Sequence, residues 1–166
     1  MNREQIEALL YEVSQGRTGV RDALVRLRDL PFEDLGFAKV DHHRALRTGM
    51  PEVIFAAGKT PQQVSAIFAR MAAAGGNVLA TRATQQVFEA IVAVEPRAVF
   101  HAAARVITLA QAPVPPGKGT IAVVCAGTSD LPVAEEAFHT AELMGNTVEL
   151  IADVGVAGIH RLLAQK

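Results

Sequence analysis

The sequence predicts an α/β protein in two parts, and three observations predict it. Segments of helical and strand-like periodicity take turns between Thr60 and Leu109, and a stretch rich in proline and glycine, APVPPGKG, then interrupts them. Beyond it, the continuous apolar run TIAVVCAG leads through a small polar corner into an amphipathic helix and a second apolar strand. Such alternation builds strands covered by helices, and a continuous apolar strand suits a parallel sheet buried on both faces. The expected organisation is an N-terminal helical and small α/β domain over 1–112, a linker over 113–119, and the first βαβ portion of a parallel sheet over 120–166.

Taken in order, Ile6, Leu9, Leu10 and Val13 recur at helical spacing, and Val20, Ala23, Leu24 and Leu27 do so again beyond SQGRTG. Two short helices open the chain, and Pro31 is expected to stop the second. Extended pieces follow at 37–40 and 52–57, around a basic, histidine-containing connection expected to be irregular. Thr60, Pro61 and Gln63 then compose a capping box with proline at the first helical position, ahead of Val64, Ile67, Phe68 and Met71. That helix ends near Gly75 and Gly76. NVLAT reads as a strand, Thr84 as the cap of QQVFEAIVAV, and RAVFH and RVITLA as further strands. After the linker, Val133, Ala134, Ala137, Phe138, Ala141 and Met144 fall on one helical face, with Gly145 and Asn146 as its stop. TVELIA is the next strand, and DVGVAGIHRLLAQK opens a loop and another helix. A single βαβ unit leaves sheet edges and one face open, so the parallel sheet is expected to be incomplete within these residues.

Composition narrows the function classes. Half of the 166 residues are apolar, enough for a packed core, and sixteen basic residues against seventeen acidic ones are spread without a basic face. Nucleic acid is therefore not expected as a partner. The one cysteine, Cys125, excludes an internal disulfide, and the charged start MNREQIEALLYE is unlike a signal peptide. No apolar run reaches the roughly 18 residues of a membrane span. A cytoplasmic protein without a membrane partner is expected.

In an open parallel sheet, ligands bind beyond the carboxyl ends of the strands. Two loops lie there. In the first, Gly127 permits close backbone approach, the N–H groups and hydroxyls of Thr128 and Ser129 suit a phosphate, and Asp130 suits ribose hydroxyls. Helix capping by Ser129 or Asp130 explains the same residue types, and spacing alone leaves both readings open. In the second, Gly155 and Gly158 precede His160 and Arg161, an imidazole and a guanidinium able to move a proton or bind an anion, or to lie on a solvated helix start. GKT at 58–60 fails as a phosphate loop because Val53 stands where its first glycine belongs. His42 and His43 have no metal-ligand companions and read as a polar surface loop, and His101 reads as a packed histidine. Cys125 reads as a small buried hydrophobe.

The segments GTSD, LPVAEEAFHTAELMG, TVELI and GIHR resemble the first half of the PurE-like aminoimidazole ribonucleotide carboxylase and mutase superfamily, with its Gly-Ser-x-Ser-Asp turn and Ser-Ala-His-Arg loop. Closer still, DHHRALRTGMPEVIFAAGKTPQQ and ATR, joined through the linker to AGTSDLPVAEEA and DVGVAGIHRLL, resemble the LarB family of nickel-pincer cofactor biosynthesis along nearly the whole chain. This resemblance implies a flavodoxin-like three-layer PurE-like sheet. It implies carboxylation of the pyridinium ring of nicotinic acid adenine dinucleotide, with phosphoanhydride hydrolysis, giving pyridinium-3,5-biscarboxylic acid mononucleotide and AMP.

By that resemblance Gly127, Thr128, Ser129 and Asp130 hold ribose and phosphate, and Gly155, Gly158, His160 and Arg161 form the facing loop. Arg44, Arg47, Lys59 and Arg82 could add an anion site in the first domain. Carbon dioxide or bicarbonate is the implied co-substrate, Mg²⁺ beside the phosphates is left open, no other cofactor is assigned, and the complete enzyme is expected to be a homo-oligomer. The family's Gly-Tyr-Gly segment and the cysteine that adds to the pyridinium ring have no counterpart in this sequence, so a chain lacking its C-terminal half and inactive as written is expected. The alternatives are aminoimidazole ribonucleotide carboxylation or mutation, and a non-catalytic nucleotide-binding or assembly module.

Overall fold

In the computed structural model, residues 3–27 and 32–164 are described; Pro31 lies outside them. The two opening helices form where their apolar spacing places them, α1 over Arg3–Ser14 and α2 over Val20–Leu27. Leu9 and Ala23 are buried, whereas Leu10, Tyr11, Leu24 and Val25 on the outer sides are more than half exposed.

The extended piece expected at 37–40 is shorter. Strands β1 (Glu33–Asp34) and β2 (Lys39–Val40) pair antiparallel around Gly36, whose N–H donates to Asp34 Oδ1 at 2.8 Å. The connection expected to be irregular holds a helix, α3 (Arg44–Thr48). Its cause is Asp41, whose carboxylate accepts the His43 N–H at 3.0 Å and the Arg47 guanidinium at 2.5 Å, tying the first turn together from outside it. His42 is likewise no surface residue: its Nε2 lies 3.2 Å from Glu33 Oε2, with the two side chains only 12% and 16% exposed. The second piece contracts to β3 (Ile54–Phe55).

The next elements follow their local signals. Helix α4 (Pro61–Ala73) starts at the expected capping box, with Thr60 Oγ1 accepting the Gln63 N–H at 3.2 Å and Gln63 Oε1 accepting the Thr60 N–H at 3.0 Å. Helix α5 (Gln85–Val92) starts under Thr84, which accepts the Val87 N–H. Strands β4 (Val78–Thr81), β5 (Val99–His101) and β6 (Val106–Leu109) join β3 in a sheet ordered β3-β4-β6-β5. Only β3 and β4 are parallel; β4–β6 and β5–β6 are antiparallel. Phe68, Val64, Ile91, Val78, Ile107 and Leu109 are essentially inaccessible in the core between this sheet and the two helices. Each such side chain contributes about 1.5–3 kcal/mol on burial.

The final part is a βαβ unit: β7 (Thr120–Val124), α6 (Leu131–Leu143) and β8 (Thr147–Ile151), the strands parallel in register from Thr120 opposite Thr147 to Val124 opposite Ile151. A short helix α7 (Ile159–Leu163) follows. The expectation that β7 is buried on both faces is not met, because Ile121 and Val124 are 41% and 52% exposed. Two strands with one helix have cover on one face only. The apolar stripe of α6 is also narrower than expected. Ala134 is buried with Phe138 and Ala141 partly so, while Val133 and Ala137, about 100° round the helix, face outward.

Helix α6 also touches the first sheet, for Leu143 packs on the buried Leu79, Ala104 and Val106. The linker is pinned at both ends. Gln111 Nε2 donates to the carbonyls of Ala72 and Gly76, Asn77 Oδ1 accepts the N–H groups of Gln111 and Ala112, and Gly117 donates to the Gly145 carbonyl at 3.0 Å. Among the described residues no helix is long and apolar enough to cross a membrane.

Candidate functional site

The carboxyl ends of β7 and β8 bring the two candidate loops side by side. Past the strands the parallel ladder continues: the Cys125 N–H donates to Ile151, Val154 to Cys125, and Gly155 to Ala126, at 3.0, 3.2 and 3.0 Å. Gly155 fits closely at this seam, since a Cβ there would stand 3.1 Å from the Ala126 carbonyl oxygen, a tight contact.

Residues Thr128–Asp130 form a 3₁₀ turn ahead of α6. Asp130 does not cap α6 with its side chain; its Oδ2 accepts the Gly127 N–H at 3.0 Å and closes the turn on itself. Closure of this turn therefore accounts for the aspartate and leaves the hydroxyls of Thr128 and Ser129 without a hydrogen-bond partner among the described residues. Both residues are exposed, and their N–H groups lie ahead of any intrahelical acceptor. The corner thus presents donors, at the positive end of a thirteen-residue helix, to whatever lies beyond the strands.

The facing loop is pinned by its own charges. Arg161 Nη1 lies 2.8 Å from Asp153 Oδ2, and Asp153 adopts a left-handed backbone with φ 58°. Arg161 folds over the buried Gly158, where a Cβ would stand 2.8 Å from its Nε. With both partners substantially exposed, this pair is worth at most about 1 kcal/mol, so an anion can compete for the guanidinium. His160 is exposed on the first turn of α7. Cys125 is 8% exposed and held in the ladder, the setting of a packing residue.

The four cations proposed for the first domain are not gathered in one place. Arg44 and Arg47 lie on α3, where Arg47 is held by Asp41, and this guanidinium keeps the Asp41 carboxyl below its ordinary range. Lys59 and Arg82 follow the carboxyl ends of the adjacent parallel strands β3 and β4. Lys59 Nζ donates to the Phe55 carbonyl at 2.7 Å, and Arg82 Nε pairs with Glu136 Oε2 of α6 at 2.9 Å. Sequence reasoning missed Glu136 and also Arg105. Arg82 and Arg105 both have positive φ, 56° and 55°, and the Ala83 N–H donates to the Arg105 carbonyl at 2.8 Å. Neither is a glycine or asparagine, so nothing in residue type announced the turn.

His101, read as merely packed, meets a second histidine. Its ring stacks on His139 of α6 with centroids 3.7 Å apart, and its Nε2 lies 3.0 Å from Thr108 Oγ1. Burial, and next the His139 charge, lower the His101 pKa below 6.5, against the opposing pull of Glu142 and Glu135. The fold therefore favours neutral His101, so its contribution is present above pH 6.5 and lost as pH falls below it. Thermal melting is expected at a lower temperature at pH 5.5 than at pH 7.5, and His101→Gln should flatten that difference. The Arg70 guanidinium lowers the Glu33 pKa from 4.5, so that pair fails only in a separate, more acidic window. Among the described residues, no three His, Cys, Asp or Glu side chains are grouped as metal ligands.

Comparison with known proteins places these elements. A family model described as the LarB/PurE-like N-terminal domain matches residues 32–111, from the start of the β1–β2 pair to the Gln111 anchor of the linker. An uncharacterized protein of Methanocaldococcus jannaschii is 32% identical over 131 residues, covering 75% of this chain and 51% of the relative. The chain thus spans about half the length of the curated relative it matches. Over residues 32–111 the chain is therefore similar to the N-terminal domain of the LarB/PurE-like family.

Proposed function

We propose that the paired loops at the ends of β7 and β8 hold the ribose and phosphate of a nucleotide substrate in a carboxylase of the LarB/PurE-like kind. The substrate is nicotinic acid adenine dinucleotide, and the reaction carboxylates its pyridinium ring and hydrolyses its phosphoanhydride, as in nickel-pincer cofactor formation. The observation that carries this reading is the adjacency of the two loops, with the Thr128 and Ser129 hydroxyls unengaged while Asp130 closes its own turn. The N–H groups of Thr128 and Ser129, approached closely past Gly127, suit a phosphate oxygen, the other oxygen of Asp130 suits a ribose hydroxyl, and His160 and Arg161 flank the anion from the other loop. The match over 32–111 supports a carboxylase-like role of the LarB/PurE-like kind.

Calorimetric titration of this chain with the dinucleotide tests the reading. Binding is expected, and Ser129→Ala and Thr128→Val should each weaken it about tenfold, the loss of one hydrogen bond to a charged oxygen. Turnover with bicarbonate is not expected from this chain alone, because its one thiol is buried in the ladder. Absence of binding would sink the ribose–phosphate assignment. Product formation would overturn the packing role of Cys125, and tighter binding of aminoimidazole ribonucleotide would move the substrate to the purine branch.

A further inference from the structure

A cleft of about 450 Å³ lies at the opposite end of α6, between α1, the 40–53 segment and the linker. Helix α6 has thirteen residues, so this cleft, which Leu143 and Asn146 help to line, is about 20 Å from the corner at 127–130. It is a separate place on the molecule, and what binds there does not depend on the reading of that corner.

Apolar groups supply most of its wall, among them Val40, Leu79, Met50 and Met71. Such methionines adapt their thioethers to irregular shapes. The ionisable side chains on the wall are Glu4, Asp41, His42 and Glu52, and among the described residues neither lysine nor arginine lines it. Two of these are already matched, Asp41 by Arg47 and His42 by Glu33. Glu52 is different. Its Oε2 accepts the Asp41 N–H at 2.5 Å, but no cation pairs with this part-buried carboxylate among the described residues. A carboxylate on an apolar wall gains most from a counter-charge brought in by a ligand.

We propose that this cleft binds a small organic cation with an apolar body, the charge against Glu52 and the body against Val40, Leu79 and the methionines. Its volume is that of an ordinary small-molecule site. The linker forms part of the wall through Pro113 and Pro115, so an occupant touches the first sheet, the linker and the end of α6 together.

Benzyltrimethylammonium serves as the probe, with 3-phenylpropionate as an anion of similar body, in calorimetry and amide-shift titrations of the full chain. The cation is expected to bind at least about tenfold more tightly, a difference of one favourable charge contact. Amide shifts should concentrate at 40–53, 77–79 and 143–146. Glu52→Gln keeps an acceptor for the Asp41 N–H and should bring the two affinities together with melting unchanged. Should that variant melt early, the selectivity and shift pattern of the unaltered protein carry the test. Equal affinity for both probes, no binding of the cation, shifts elsewhere, or undiminished selectivity in a stable Glu52→Gln protein would each overturn the proposal.

Discussion

Replacing Phe68 by alanine is expected to destabilise the protein by about 3–5 kcal/mol, the cost of an unfilled cavity at a fully enclosed aromatic. Phe68 is 0% exposed and lies in the cluster shared by α4, α5 and the first sheet, with Val40, Ile54, Val64 and Ile107 in the same core. Rigid sheet strands on one side and a second helix on the other leave little room for collapse. Urea unfolding should show a lower midpoint at an unchanged slope. Val133→Ala supplies the contrast, since Val133 is 58% exposed and its loss should change stability by less than about 0.5 kcal/mol. A Phe68→Ala cost below about 1 kcal/mol would mean that the core is looser than its burial implies.

The second large effect is expected at Gly145. Its φ is 87°, and a Cβ there would stand 2.6 Å from the Pro115 carbonyl oxygen and 3.0 Å from Val114 Cγ1. Gly145→Ala therefore combines left-handed strain with a collision against backbone, and should cost about 2–4 kcal/mol. The position joins the end of α6 to the linker, so the damage should also reach the Gly117 to Gly145 hydrogen bond. Gly76→Ala is the control. That residue has nothing within 4 Å of its Cβ position and no positive φ, so its replacement should be neutral or slightly stabilising. Equal melting temperatures for the two variants would remove the steric argument.

Much of the fold was legible because its signals are local. Thr60 and Gln63 announced the capping box, Thr84 announced its helix, and the apolar spacing of Ile6 to Val13 and Val20 to Leu27 announced the first two helices. Helix α3 was not legible, since its cause is the Asp41 side chain reaching forward to His43 and Arg47 rather than any helical pattern. His42 was misjudged for a similar reason, because its partner Glu33 is nine residues earlier.

The candidate site divides in the same way. Residue types and spacing drew attention to Thr128, Ser129, Asp130, His160 and Arg161, and chain order placed them after two strands. Whether Asp130 caps α6 or closes its own turn, and whether Arg161 is free or held by Asp153, depended on backbone angles that spacing does not encode. The sequence by itself determined the alternation of helix and strand, the buried face of α4 and the polar corner, because periodicity and capping chemistry act within a few residues of each other. Only the tertiary structure decided that β7 keeps an exposed face, that Arg82 meets Glu136, that His101 stacks on His139 and that a cleft opens beside Glu52. Each of those joins residues far apart in the chain, where proximity is set by how sheets and helices pack and by no local preference.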